Sequence, residues 1–288
     1  MIIIHKNTDD FKKERSMLSG CVGLVPTMGN LHSGHISLLE AAAKENDHVI
    51  LTIFVNPTQF GPNEDFDSYP RTLEKDIEQV TSLSKKFHNK TFLIFAPKDP
   101  KEIYPQGFST TIQISGITDS LCGKKRPGHF EGVATVVYKL FSLSKAHKAY
   151  FGQKDYQQTL VIKKMVQDLD LPIDIIVCPI SRNEDGLALS SRNQYLTQQQ
   201  YPLALNLPKT LDKLENLLKE MTWTESFVKI NALLEEQLNS DNWDYLEVLD
   251  ANSLTEVGPY TEEVVLAGAY YVNKTRLIDN RLVKINYA

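Results

Sequence analysis

Four short apolar runs, at residues 21–25, 49–55, 92–95 and 173–178, constrain this chain more than any other feature. Each is rich in Val, Ile, Leu or Phe and is bounded by polar, Pro or Gly residues, which marks a fully buried strand. Between them, residues recur at helical spacing. One set is Leu31, His35, Leu38, Leu39 and Ala42; a second is Val133, Val136, Val137, Leu140 and Phe141. A third, less regular, is Leu160, Ile162, Val166 and Leu169. Strands alternating with helices predict the α/β class, a doubly wound parallel sheet with helices on both faces. Such a sheet binds ligands beyond the carboxyl ends of its strands.

The pattern changes after Pro179. Residues 202–239 carry two long amphipathic helical segments, the first with Leu205, Leu211, Leu214, Leu217 and Leu218. Residues 243–250 and 264–272 then alternate like strands, and a last run ends at Arg276-Leu277-Ile278-Asp279. Helices followed by strands predict a small α+β domain, which puts a boundary near residue 180. At roughly 150 residues per domain, a 288-residue chain suits two domains.

Composition narrows the function classes. Hydrophobic residues at 42% and charged residues at 23% exclude a disordered, collagenous or fibrous chain. A net charge of -5 lacks the bulk positive field of a non-specific nucleic-acid binder, so no nucleic-acid partner is expected. Cys21, Cys122 and Cys178 are odd in number, far apart and outside CxxC pairs, as in a reduced protein. The start, Met1-Ile2-Ile3-Ile4-His5-Lys6, is apolar too briefly for a signal peptide. No stretch approaches the ~18 apolar residues of a membrane helix. A cytoplasmic protein without a membrane partner is expected.

The strongest chemical signal is Pro26-Thr27-Met28-Gly29-Asn30-Leu31-His32-Ser33-Gly34-His35. It follows the first buried strand and opens a helix, where a phosphate would meet the helix N-terminus. Gly29 permits a tight turn, and Gly34 lets a nucleotide approach the backbone. Two imidazoles three residues apart share one face and can donate to phosphate oxygens. The competing reading is a helix cap with two polar histidines. A metal site is disfavoured, since HEXXH spacing and a nearby carboxylate ligand are absent.

Four further segments bear on the substrate. Phe54-Val55-Asn56-Pro57-Thr58-Gln59-Phe60-Gly61-Pro62 ends a strand with neutral amides, which bind a hydroxyl and a carbonyl together. Arg126-Pro127-Gly128-His129-Phe130-Glu131-Gly132 precedes a helix and offers cationic and imidazole donors, or is a surface loop. Phe151-Gly152-Gln153-Lys154-Asp155-Tyr156-Gln157-Gln158 follows a strand-like stretch at 149–151; its Lys and Asp suit phosphate and ribose, or the Asp caps a helix. Asp185-Gly186-Leu187-Ala188-Leu189-Ser190-Ser191-Arg192-Asn193 places two hydroxyls before a guanidinium, a flexible phosphate clamp.

HxGH in this setting resembles the signature of the nucleotidyltransferase superfamily and points also towards class I aminoacyl-tRNA synthetases. The five segments together, in this order, resemble the pantothenate synthetase (pantoate–β-alanine ligase) family over essentially the whole chain; the tail Lys274-Thr275-Arg276-Leu277-Ile278-Asp279-Asn280 fits as well. The resemblance implies a Rossmann-like nucleotide- and pantoate-binding domain at 1–180 and a C-terminal α+β lid domain at 181–288. Met28, Gly29, Asn30, Leu31, His32, Ser33, Gly34 and His35 would form the ATP-binding turn, with His35 the proton donor. Gln59 and Gln158 would bind pantoate, with Gln59 also near β-alanine. Gly152, Gln153, Lys154 and Asp155, then Ser181, Leu189, Ser190, Ser191 and Arg192, would contact ATP. His32, His35, Lys154 and Arg192 would be the catalytic donors. Ser181 stands where the family is usually apolar, so its contact is assigned to the backbone, and Gln153 replaces a frequent Glu.

The implied reaction joins pantoate to β-alanine through pantoyl adenylate, releasing pyrophosphate and AMP. ATP is a co-substrate, and Mg2+ is held mainly by its phosphates, with no protein metal site. A homodimer is implied, with ATP, pantoate and β-alanine as the small-molecule partners. Three rivals remain. An adenylyltransferase for a phosphorylated acceptor would want more cations than Gln59 and Gln158 provide. A non-catalytic nucleotide sensor would not need the intact donors, and a tRNA-binding protein would want a basic appended domain.

Overall fold

The computed structural model describes residues 1–62 and 64–287. In chain order the regular elements are β1 (Ile2–His5), α1 (Thr8–Met17), β2 (Val22–Thr27), α2 (Ser33–Glu45), β3 (His48–Ile53), α3 (Leu73–Ser84) and β4 (Thr91–Phe95). Then come α4 (Leu121–Lys125), α5 (His129–Ser144), β5 (Lys148–Gly152), α6 (Tyr156–Asp168) and β6 (Asp174–Cys178). The remainder is α7 (Tyr201–Ala204), α8 (Asn206–Glu220), α9 (Trp223–Leu238), β7 (Trp243–Asp250), β8 (Glu263–Val272) and β9 (Thr275–Lys284). They form two compact units. The first comprises Met1–Ser115, Arg126–Gln153 and Gln158–Pro179; the second comprises Gly116–Lys125, Lys154–Gln157 and Ile180–Ala288.

The first unit is built on a parallel sheet of order β1-β4-β3-β2-β5-β6. Its strands read as unbroken apolar runs because both faces are covered, with Val25, Val49, Leu51, Phe92 and Ile94 packed against Leu39 and Ala42 of α2. From β2 the chain proceeds outward through β3 to β4, then returns to the other side of β2 with β5 and β6. That reversal opens a crevice at the carboxyl ends of β2 and β5, the general ligand position of open α/β sheets. The short apolar start forms edge strand β1, parallel to β4 from Ile2↔Phe92 to His5↔Phe95. Two residues of this unit's helical pattern lie outside its helices. Leu31 belongs to the turn before α2, and Leu169 follows α6 and is 47% exposed.

In the second unit β7, β8 and β9 form an antiparallel sheet. The leucine stripe of α8, Leu207, Leu211, Leu214 and Leu218, packs with Trp243, Leu246, Val264 and Leu266. β8 does not alternate between buried and exposed positions; it is buried almost throughout. It is the central strand, and at Tyr245 of its neighbour β7 the face away from α8 meets α4 through Cys122 Sγ, 3.2 Å from the hydroxyl. Gly268 keeps the α8 face closed, since a Cβ there would come 2.9 Å from both Leu207 and Trp243.

Candidate active site

At the end of β2 the backbone makes two successive left-handed steps, Gly29 at φ 83° and Asn30 at φ 51°. A side chain at Gly29 would be strained and would lie 2.9 Å from Ile53 Cγ2. The exposed amides of this turn need an acceptor, and α3 supplies it. Asp76 Oδ2 accepts from Asn30 N at 3.0 Å and Oδ1 from Leu31 N at 2.8 Å. Thr72 Oγ1 donates to the same carboxylate at 3.2 Å. Burial pushes the Asp76 carboxyl up, while the two backbone N–H groups and Thr72 pull it back towards the ionised form. Gln79 Nε2 completes the brace by donating to Leu31 O at 3.1 Å.

His32 is the N-cap of α2 and His35 its third residue, and they form a capping box. Gly34 N donates to His32 Nδ1 at 3.1 Å, and His32 N donates to His35 Nδ1 at 3.3 Å. A ring nitrogen that accepts carries no proton, so each neutral imidazole holds its proton on Nε2. The cap and the phosphate readings of these histidines therefore call on different nitrogens and do not exclude one another. The rings lie 4.1 Å apart, and the first turn of α2 contains no acidic residue to compete for an anion.

Gln59 is brought to this turn. It ends a 3-10 turn (Pro57–Gln59) after β3, and its Nε2 donates to Met28 Sδ at 3.3 Å. Its amide is oriented by Asn56, which is 1% exposed. Asn56 Nδ2 donates to Gln59 Oε1 at 3.1 Å and to Gly132 O at 3.2 Å. Asn56 Oδ1 accepts from Tyr104 OH at 2.8 Å and from Thr58 Oγ1 at 2.9 Å. Gly132 lets α5 approach; a Cβ there would lie 2.4 Å from Thr58 O. The Arg126–Gly132 segment spends its donors internally. Arg126 pairs with both Glu64 oxygens at 2.6 Å, and His129 Nδ1 lies 2.8 Å from Gln59 O. Gly152 and Gln153 continue from the end of β5, and Gln158 is half-buried in the first turn of α6.

The remaining candidates belong to the second unit. Lys154 and Asp155 pack there although they precede residue 180, with Lys154 Nζ 3.2 Å from Asp155 Oδ1. Beside them Gln157 is a structural amide, accepting from Gly123 N and donating to Ile117 O and Ser120 O. Ser181 to Leu189 form a hairpin turned at Gly186, φ 84°. Ser181 O accepts from Leu189 N at 2.9 Å, so its carbonyl is committed to the hairpin. Ser190 then caps a 3-10 turn (Ser191–Tyr195), accepting from Arg192 N at 3.2 Å.

Asp76 and Tyr104 carry no motif signal; Asn56 stands among the neutral amides of its segment, but its bonds are internal and orient Gln59. Asp76 looks like any acid in a helix first turn, and Asn56 like the Asn of an Asn-Pro turn. Among the described residues no group of three or more His, Cys, Asp or Glu is arranged to hold a metal ion.

A family model described as pantoate-beta-alanine ligase matches residues 3–282. The chain is 48% identical over 270 residues to a pantothenate synthetase of Moorella thermoacetica, covering 92% of each sequence. Over 271 residues it is 46% identical to the Acetivibrio thermocellus protein of that name, covering 93% of each. It is similar to a Thermus thermophilus pantothenate synthetase structure at TM-score 0.85 and 39% identity, covering 98% of this chain and 99% of that one. A Francisella tularensis pantoate-beta-alanine ligase, complexed with beta-gamma ATP and beta-alanine, matches at TM-score 0.73 and 37% identity, covering 98% of each. A family match across nearly the whole sequence and relatives almost half identical make this chain a member of the pantoate–β-alanine ligase family.

Proposed function

We propose that this enzyme condenses pantoate with β-alanine at the expense of ATP, using the candidate residues described above. A carboxylate oxygen of pantoate attacks the α-phosphorus of ATP, and the bond to pyrophosphate breaks. The β-alanine amine then attacks the acyl carbon of pantoyl adenylate, losing a proton as AMP leaves with the bonding electron pair. The reading rests on one observation: the capping box occupies both Nδ1 atoms, which leaves the protons of His32 and His35 on Nε2.

No covalent enzyme nucleophile is needed, so the residues act by orientation and by stabilising phosphate charge. His35 donates to the charge that grows at phosphorus, with His32 beside it and the Met28–Leu31 backbone cradling the nucleotide. Gly152 to Asp155, Ser181 and Leu189 to Arg192 contact ATP, and Lys154 and Arg192 supply cationic donors. Gln59 and Gln158 bind pantoate through neutral amides that leave its carboxylate nucleophilic, and Gln59 also borders β-alanine. Mg2+ would supply charge neutralisation when bound, held mainly by the triphosphate rather than by protein ligands. The nearby Asp76 suits that division, because its oxygens are filled by two N–H groups and a hydroxyl.

The free thiols of Cys21, Cys122 and Cys178 support a cytoplasmic location. Among the described residues no helix is long and apolar enough to cross a membrane. A homodimer is part of the proposal, and sedimentation at several concentrations tests it. The function is tested by product stoichiometry. One AMP and one pyrophosphate per pantothenate, each requiring pantoate and β-alanine, is expected. Turnover with a phosphorylated acceptor instead would overturn the substrate assignment.

A further inference from the structure

Two consecutive residues of β9, Asp279 and Asn280, are polar and nearly inaccessible, at 2% and 3% exposure. Successive strand residues point to opposite faces, so burying both polar groups is costly unless each finds partners. Each does, and the partners are loops. Asn280 Nδ2 donates to the backbone carbonyl of Lys154 at 3.1 Å. Asp279 receives the Arg182 guanidinium in a bidentate pair, NH1 to Oδ2 at 2.7 Å and NH2 to Oδ1 at 2.8 Å. Arg182 NH1 also donates to Gly186 O at 2.9 Å, tying the hairpin turn to the same carboxylate. Arg281 shares Asp279 at 3.1 Å and reaches Asp212 at 2.7 Å, which balances the second guanidinium.

We infer that Asp279 and Asn280 are positioning residues which set the Lys154 turn and the hairpin leading to Ser190–Arg192 on one rigid strand. The inference rests on the assignment of Lys154 and Arg192 to ATP. Lysine and arginine side chains have many rotamers, so fixing the backbone they spring from reduces the freedom lost when they meet phosphate. Asp279 and Asn280 touch no substrate themselves. Their effect passes through Lys154 and Arg192.

Two mutant cycles on the full-length enzyme test this. Asn280→Ala should raise the KM for ATP by ~5-fold, the scale of one lost hydrogen bond, and leave the KM for pantoate unchanged. In a Lys154→Ala background the same substitution should no longer change the KM for ATP, while its shift in Tm stays the same. Arg182→Lys, which breaks the bidentate pair without emptying the site, should behave likewise against Arg192→Ala. Asn280→Leu keeps the approximate shape but loses the donor, and it should match Asn280→Ala in its effect on the KM for ATP. Multiplying effects in both cycles would overturn the inference and leave Asp279 and Asn280 as structural residues only. If Lys154→Ala and Arg192→Ala leave the KM for ATP unchanged, the ATP assignment fails and the inference with it.

Discussion

The turn after β2 and the loop after Ser181 are both proposed to meet the nucleotide, yet they are built differently. The turn is held at its own backbone: Gly29 and Asn30 supply left-handed steps, and the Asp76 carboxylate grips consecutive N–H groups. The loop follows a backbone-paired hairpin whose turn is anchored by side-chain charge, through Arg182 on Asp279. A turn fixed by its backbone keeps its donors in place before substrate arrives, which suits stabilisation of developing charge. A loop fixed at one end by an ion pair suits capture of a charge already present. The turn should therefore govern kcat, and the loop the affinity for ATP.

The largest effect should separate the two most sharply. His35→Ala should lower kcat for adenylate formation about a hundredfold or more, ~3 kcal/mol, with ATP affinity within a few-fold of the parent. Arg192→Ala should do the reverse, weakening ATP more than it slows chemistry. Single-turnover kinetics with direct ATP titration measures both, and equal patterns for the two variants would remove the distinction. Next, Asp76→Asn places an NH2 donor against backbone N–H groups and should cost about 2–3 kcal/mol of stability together with a fall in kcat. Chemical denaturation and rate measurement on one preparation check the pairing; lost stability at normal kcat would make Asp76 a scaffold residue alone.

Gln158→Ala should cost about 1–2 kcal/mol in pantoate binding with ATP binding unchanged, and Gln59→Ala should impair both pantoate and β-alanine use. Separate calorimetric titrations distinguish them. Weakened ATP with pantoate spared would move Gln158 to the nucleotide site. The smallest effect concerns Glu64. Burial works against its charged form, but the hydrogen bonds and charge of Arg126 win and hold its carboxyl below the usual carboxylate value. A lowered folded pKa contributes stability above the unfolded value and loses it as pH falls through the folded one. Glu64→Gln should thus cost about 1 kcal/mol near neutral pH and nothing in strong acid. A loss independent of pH would assign the effect to packing.

The same difference explains what could be read from the sequence. The alternation of residues 21–178 is a local, repeated signal, and it predicted a parallel sheet with HxGH at the end of its first long strand. The capping histidines are visible because a helix start is both where a cap stands and where the phosphate site is proposed. β1 was not legible, since four residues become a strand only by pairing with residues 92–95. Asp76 lies 45 residues from Leu31, and Asp279 lies 97 from Arg182, so no local pattern links either pair. The place of Lys154 after β5 puts it with the first unit on sequence grounds, yet Asn280 of β9 binds its backbone carbonyl. Charge pairs and buried carboxylates depend on tertiary approach, which spacing alone does not reveal.

The most direct measurement is exchange of labelled pyrophosphate into ATP with pantoate present and β-alanine absent. Under the proposed function, adenylate formation at the HxGH turn precedes amine attack, so exchange should occur with pantoate alone and should fall about a hundredfold in His35→Ala. Exchange that requires β-alanine, or that His35→Ala leaves unchanged, would contradict the account.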